Sequence, residues 1–170
     1  FGMGAGGDGK DHKRFGLPFH TTRVRVEMLD EGIEIVKNLW SGEKVKFAGR
    51  YYSLDDAICT PRPLQEPRPP LLIGGHGEKY LLKTAAQHAD ITNMKFDMDL
   101  SGIRRVRKLL DRYCKEIGRP SSEIQMSQNT NVVIGDSNDE VARILSNVAA
   151  ARGESVQEYE ESLKNAVVGT

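Results

Sequence analysis

The chain has 170 residues, 38% of them hydrophobic and 28% charged, which allows one substantial core in a water-facing polypeptide. Its 24 basic side chains balance 24 acidic ones, so no net field draws nucleic acid or an anionic membrane, and neither is expected as a partner. No apolar run approaches the roughly 18 residues of a spanning helix, and the first residues lack a signal-peptide layout, so a cytoplasmic location is expected.

The first residues, FGMGAGG, read as the end of a strand whose beginning is absent, and Phe1 stands where a methionine would start a complete chain. The expectation is a piece of a longer protein. Residues 22–41 then carry Leu29, Ile33, Val36 and Trp40 at steps of four, three and four, with Met28, Ile35 and Leu39 beside them. That stripe predicts a helix, and Gly42 supplies its stop. KVKFAGRYYSL places two β-prone runs about Ala48-Gly49, which predicts a small hairpin. CTPRPLQEPRPP has five prolines in ten residues and predicts an extended surface connection rather than a helix; a polyproline ligand for a partner domain is the alternative. Residues 42–70 thus form a hairpin and Pro-rich insertion within a single domain, 1–170.

PLLIGG predicts a short buried strand, followed by a helix from about residue 78 whose inner side is Leu81, Leu82, Ala85, Ala86 and Ala89. ADITNM is the next strand. Ile103, Val106, Leu110, Tyr113 and Ile117 mark a helix closed by Gly118-Arg119-Pro120, and its outward Arg104, Arg105, Arg107, Lys108, Arg112 and Lys115 read as a solvated face. IQMSQNTNVVIG predicts one further strand. Ser137 with Glu140, and Ser155 with Glu158, predict capping boxes for two last helices, of which the first carries Val141, Ile144, Leu145 and Val148. Strand and helix alternate about four times, so the fold class is α/β with parallel strands. An open doubly wound sheet and a (β/α)8 barrel both use such units; a barrel needs eight and about 250 residues, so four make half of one.

The cysteines, Cys59 and Cys114, are far apart and read as free thiols; the four histidines lack the spacing that would put two imidazoles on one ion, and no metal is expected. Two glycine-rich junctions are the chemical candidates. In LLIGGHGEKY, Gly74, Gly75 and Gly77 surround His76 where a strand hands over to a helix. Glycine lets a phosphate approach backbone N–H groups at a helix amino terminus, and His76 would add a side-chain donor. A tight turn with no ligand is the alternative. GMGAGGDGKDH is glycine-dense too, but the next helical stripe begins only beyond Thr22, which argues against a dinucleotide fingerprint. It reads instead as a loop that admits a flat cofactor, with Asp11, His12 or Lys13 near its polar groups.

GMGAGGDGKDHKRFGLPF, KNLWSGEKVKFAGRYYSLDDA and PRPLQEPRPPLLIGGHGEKYLLKTAAQHADITN together resemble the luciferase-like monooxygenase superfamily, in order across nearly the whole chain, and most closely its deazaflavin branch. The resemblance implies a TIM barrel with an insertion, here partial, with about four βα units and the small hairpin. It implies coenzyme F420, or FMN as the alternative, and hydride transfer to or from a small organic substrate. By position, Gly6 and Gly7 fall beside the ring, and Gly74, Gly75, His76 and Gly77 at the phosphate. His12 falls where many members have a polar residue near the cofactor, and Asn93 and Lys95 where residues face the active-site mouth. Gly7 stands where the family often has an aromatic residue, which removes a shielding contact. No residue is a convincing acid or base; His12 is the single candidate. The rival expectations are an FMN-dependent monooxygenase of the same fold and a non-catalytic half-barrel subunit. A half-barrel leaves strand edges and an apolar interior uncovered, so a homo-oligomer, or the missing barrel half, is expected to cover them.

Overall fold

The structure is a computed structural model that describes residues 1–75, 77–96 and 98–170. In chain order the elements are β1 (Gly2–Met3), α1 (Gly9–Arg14), α2 (Thr22–Leu39), β2 (Val45–Ala48), β3 (Ser53–Ala57), β4 (Leu72–Gly74), α3 (Leu81–His88), β5 (Ile91–Met94) and α4 (Leu100–Glu116). A 3-10 turn (Ser121–Glu123), β6 (Gln125–Gln128), β7 (Val132–Ile134), α5 (Asn138–Arg152), α6 (Val156–Ser162) and β8 (Val167–Gly169) complete it. The chain divides into two compact units, one of residues Phe1–Asn93 and Arg105–Ser127, the other of Met94–Arg104 and Gln128–Thr170. Among the described residues, no helix is long and apolar enough to cross a membrane.

The first unit is built on a four-stranded sheet of order β1-β4-β5-β6. Strand β4 is parallel to both neighbours, with Ile73 opposite Met3 on one side and Thr92 on the other, and Gly74 opposite Asn93. The predicted α2 stripe is real: Val26, Leu29 and Ile33 are buried, and Thr21 caps the helix by accepting from the Val24 N–H. Helix α3 buries the predicted Leu81, Leu82, Ala85 and Ala86, and Ala89 just beyond it is buried as well. The helix starts at Leu81 rather than 78 because residues 78–80 form a turn. Val106, Leu110, Tyr113 and Cys114 carry α4 into this core. Ile117, expected on the same stripe, is 47% exposed: α4 ends at Glu116, one residue before it, and the left-handed Gly118, at φ 72°, turns the chain directly after it.

The hairpin forms as predicted, β2 antiparallel to β3, and residues 58–70 run on without helix or strand. Cys59 is exposed and Cys114 buried, and both are free thiols.

Two expectations are corrected. The segment before Thr22 is not all loop, because Asp8 caps the short helix α1, its Oδ1 accepting from the Lys10 and Asp11 N–H groups at 2.7 and 3.4 Å. The single strand expected over 124–135 is two, β6 in the first unit's sheet and β7 paired in parallel with β8. The intervening Asn129-Thr130-Asn131 breaks the run: the Thr130 hydroxyl donates to the Asn165 carbonyl at 3.1 Å, and the Asn131 carbonyl accepts from the Val167 N–H at 3.0 Å.

The second unit has its own core of Val133, Val141, Leu145, Ala149, Tyr159 and Leu163, with Ile144 and Val148 packed against it. Ser155 and Glu158 form the full predicted capping box. At α5 only half of it forms, because Ser137 caps the Glu140 N–H while the Glu140 carboxylate accepts from Asp136 rather than from the cap residue.

Candidate functional site

Parallel pairing brings the carboxyl ends of β1 and β4 side by side, and the glycines that follow each strand line one cavity of about 450 Å³. Gly6, Gly7, Gly74, Gly75 and Gly77, predicted from two separate stretches, all lie on its wall, with Arg25 and Lys79. His76 lies outside the described residues.

The glycines are structurally necessary at two of these positions. Gly75 has φ 134°, a conformation L side chains rarely adopt, and a Cβ there would run into Leu81 Cδ2. Gly6 has φ 67°, and a Cβ there would press on His12 Cε1 at 3.2 Å. At Gly7, by contrast, a Cβ would meet nothing within 4 Å, so that wall is open. Where these glycines line it the cavity wall is bare backbone, as close approach of a phosphate or flat ring requires, while Thr22, Val26, Glu78, Tyr80 and Leu81 complete the lining.

Each loop is held from behind. The Gly75 N–H donates to the Asn93 carbonyl at 2.9 Å, which extends the β4–β5 ladder by one residue and commits that donor to the sheet. Donors for an anion therefore fall to the turn after Gly77, which leads into the amino terminus of α3. That turn is fixed through Glu78, whose carbonyl accepts from the Tyr113 hydroxyl at 3.1 Å and whose carboxylate pairs with Arg105 at 2.8 Å. Arg105 is exposed, as read from sequence, and its pair with Glu78 is a surface contact.

The first loop is held by Arg25, which sequence reading missed. Its Nε donates to the carbonyls of Ala5 and Gly6 at 3.2 and 3.1 Å, its Nη1 to the His20 carbonyl at 2.5 Å, and its guanidinium lies 4.2 Å from the centre of the Phe19 ring. The signal available was indirect: the bare loop carbonyls of Ala5 and Gly6 need a donor, and Arg25 lies one turn into α2.

His12 lines a second cavity of about 480 Å³, which shares Gly4, Ala5, Gly6 and Arg25 with the first. Its Nδ1 is 2.7 Å from the Asp8 carbonyl and its ring meets Phe19 edge-on at 4.9 Å. A carbonyl can only accept, so Nδ1 carries the proton and Nε2 of the neutral ring is the acceptor. Asn93 is half-buried, its side-chain amide donating to the Ser127 hydroxyl at 3.0 Å while its carbonyl supports the Gly75 loop. Lys95 is exposed and belongs to the second unit.

Next to the opposite ends of β4 and β5 is a separate charged cluster. Arg68 and Asp90 pair through two bonds of 2.5 and 3.0 Å, and Asp90 also accepts from the Leu71 N–H at 2.6 Å. Arg119 closes the carboxyl end of α3 through the Ala86 and Ala89 carbonyls, and Lys37 Nζ lies 3.2 Å from His88 Nδ1. Burial, reinforced by the charges of Lys37, Arg119 and Arg68, pushes His88 down to about 4. Every polar member has a structural partner, so the cluster ties the sheet to α2 and α3.

Adjacent glycine loops at the carboxyl ends of parallel strands, one of them leading into a helix, are the layout of an α/β ligand-binding protein. The chain belongs to the luciferase-like monooxygenase family, whose model matches residues 1–166. It is 38% identical over 76 residues to an F420-dependent glucose-6-phosphate dehydrogenase of Kineococcus radiotolerans, a match covering 45% of this chain and 22% of that protein. It is 22% identical over 157 residues to the FMNH2-dependent dimethylsulfone monooxygenase of Pseudomonas putida, covering 92% of this chain and 42% of that one. The solved structure of the coenzyme F420-dependent tetrahydromethanopterin reductase of Methanopyrus kandleri superposes with a TM-score of 0.70 at 22% identity, covering 94% of this chain and 52% of that one. The fold is that of the luciferase-like barrels, and the chain spans about half of that solved structure. Its relatives include enzymes that use F420 and enzymes that use reduced FMN.

Proposed function

We propose that this chain is the phosphate-holding part of a deazaflavin-dependent oxidoreductase that acts on a small organic substrate. The observation that carries this reading is the shared glycine wall, where loops from two neighbouring strands leave bare backbone in front of a helix amino terminus. Coenzyme F420 is favoured over FMN by the 38% identity to an F420-dependent dehydrogenase. The bound cofactor would supply the hydride-carrying ring.

The chain's own residues bind and orient. Gly74, Gly75 and Gly77 admit the phosphate, Lys79 stands at the same wall as a cation, and Gly6 and Gly7 leave room for the ring end. Arg25 and Tyr113 keep the two loops in place so that little ordering is left to binding.

Titration of the chain with F420 and with FMN, each followed by fluorescence, tests the reading. Saturable F420 binding that Gly75→Val removes is the expected result. Retention of FMN alone would move the protein to the FMN-dependent reading, and binding of neither would favour a non-catalytic subunit.

A further inference from the structure

The charged cluster that ties α2 to α3 lines neither cavity, and one of its members is unlike the rest. Of its three cations, Arg68 takes the Asp90 carboxylate and Arg119 takes that of Glu123 at 3.1 Å. Lys37, in the last turn of α2, has none among the described residues. Its Nζ instead lies 3.2 Å from Nδ1 of His88 and 3.5 Å from the His88 carbonyl. We infer that Lys37 is a modification site for carbon dioxide, its side-chain nitrogen forming a carbamate whose negative charge answers those of Arg68 and Arg119.

The placement of charge favours this product. Lys37, Arg68, Arg119 and Asp90 are all half-buried, whereas Glu123 is exposed and its charge is largely screened. Three half-buried cations therefore share one half-buried carboxylate. Conversion of Lys37 to a carbamate makes the balance two against two, and it turns an ammonium without an anion into an anion beside guanidinium groups.

The same surroundings prepare the amine. An amine attacks through its lone pair, so the ammonium must first give up a proton. Burial, with the charges of Arg68 and Arg119, lowers the Lys37 pKa against the opposing pull of Asp90 and Glu34. His88, pushed down to about 4, is neutral at ordinary pH and serves only as an acceptor.

The step balances without an oxidant or a reductant. The Nζ lone pair forms a bond to the carbon of carbon dioxide, and one C=O electron pair moves onto oxygen. The nitrogen then releases a proton to water, in addition to the one lost by the ammonium. One N–H remains, and it can still donate to Nδ1 of His88, so the contact between α2 and α3 is kept.

The test exposes the 170-residue chain to 13C-labelled bicarbonate at neutral pH, fixes carbamates by alkylation with triethyloxonium, and locates them by peptide mass spectrometry. Saturable label on the Lys37 peptide is expected, with the exposed Lys44, Lys46 and Lys164 left unmodified. The α-amine of Phe1 is read on a separate peptide as the positive control. Glu34→Gln, an exposed change that removes an anion favouring the ammonium, should raise Lys37 labelling about twofold. At fixed pH and ionic strength, bicarbonate should also raise the urea midpoint of the parent but not of Lys37→Arg, because modification of the folded chain alone stabilises it. Label spread evenly over the exposed lysines, or found on Phe1 and absent from Lys37, overturns the inference. So does a bicarbonate effect on the midpoint that is equal in the parent and in Lys37→Arg, or labelling unchanged in Glu34→Gln.

Discussion

Nε of Arg25 lies 3.1 Å from the carbonyl oxygen of Gly6, so a side chain from the first turns of α2 sets the height of a loop that follows β1. The planar fork reaches the Ala5, Gly6 and His20 carbonyls together, which a lysine ammonium cannot do from the same stem. Arg25→Lys should therefore weaken F420 about tenfold, the equivalent of losing one charge-assisted hydrogen bond of loop support. Calorimetric titration of the two proteins measures it. Unchanged affinity in the lysine variant would show that charge alone suffices.

Gly75→Val places a β-branched side chain at φ 134° and against Leu81. Backbone strain of this kind costs about 1–3 kcal/mol. Both the urea midpoint and F420 affinity should fall. The milder variant Gly75→Ala removes the β-branched bulk but keeps the strain, and should recover part of the stability without the affinity. Full recovery of both would place the whole effect in side-chain crowding.

His88 makes stability pH-dependent in one direction. Its ordinary value of 6.5 falls to about 4 in the folded chain, so the unfolded chain binds the extra proton first. Stability is complete above about 6.5 and is lost as pH falls toward 4. Allowing for partial solvent screening, the loss is about 1–2 kcal/mol. His88→Gln keeps an acceptor for Lys37 without titrating, so its urea midpoint should decline less between pH 7 and pH 4.5 than that of the parent. Parallel declines would assign the acid sensitivity to carboxylates such as Asp90.

The Glu31 carboxylate receives the backbone N–H groups of Arg50, Tyr51 and Tyr52 at 2.7, 2.9 and 3.0 Å, which pins the turn of the hairpin to α2. Burial acts to raise its pKa, but the three amides outweigh it and hold the group below its usual range. Glu31→Ala should speed hydrogen exchange at these three amides about tenfold while leaving the Ile73 and Thr92 amides protected. Equal acceleration across β4 and β5 would mean that the hairpin is part of the same cooperative core.

Much of the fold is legible in the sequence because burial has a period. Leu81, Leu82, Ala85 and Ala86 could lie on one helical face and do so, and Ala89 just beyond the helix is buried with them. Helix α1 escapes such reading because it has no buried residue, and the carboxylate of Asp8 is what starts it. The break between β6 and β7 escapes it too, since Asn129-Thr130-Asn131 interrupts the ladder through bonds to residues more than thirty positions away. At the site, the glycines are visible from sequence because close approach demands them. Arg25 is not, because its acceptors are main-chain carbonyls, which look alike at every position.

Met3, Ile73 and Thr92 stand level across three strands. Leu71 and Ile73 are buried, while Leu72 and Gly74, which alternate with them, are half-exposed. Deleting a single residue from β4 would exchange those two faces as well as lower its loop by about 3.3 Å. The strands therefore serve as a fixed datum, from which the loops after β1 and β4 take their height.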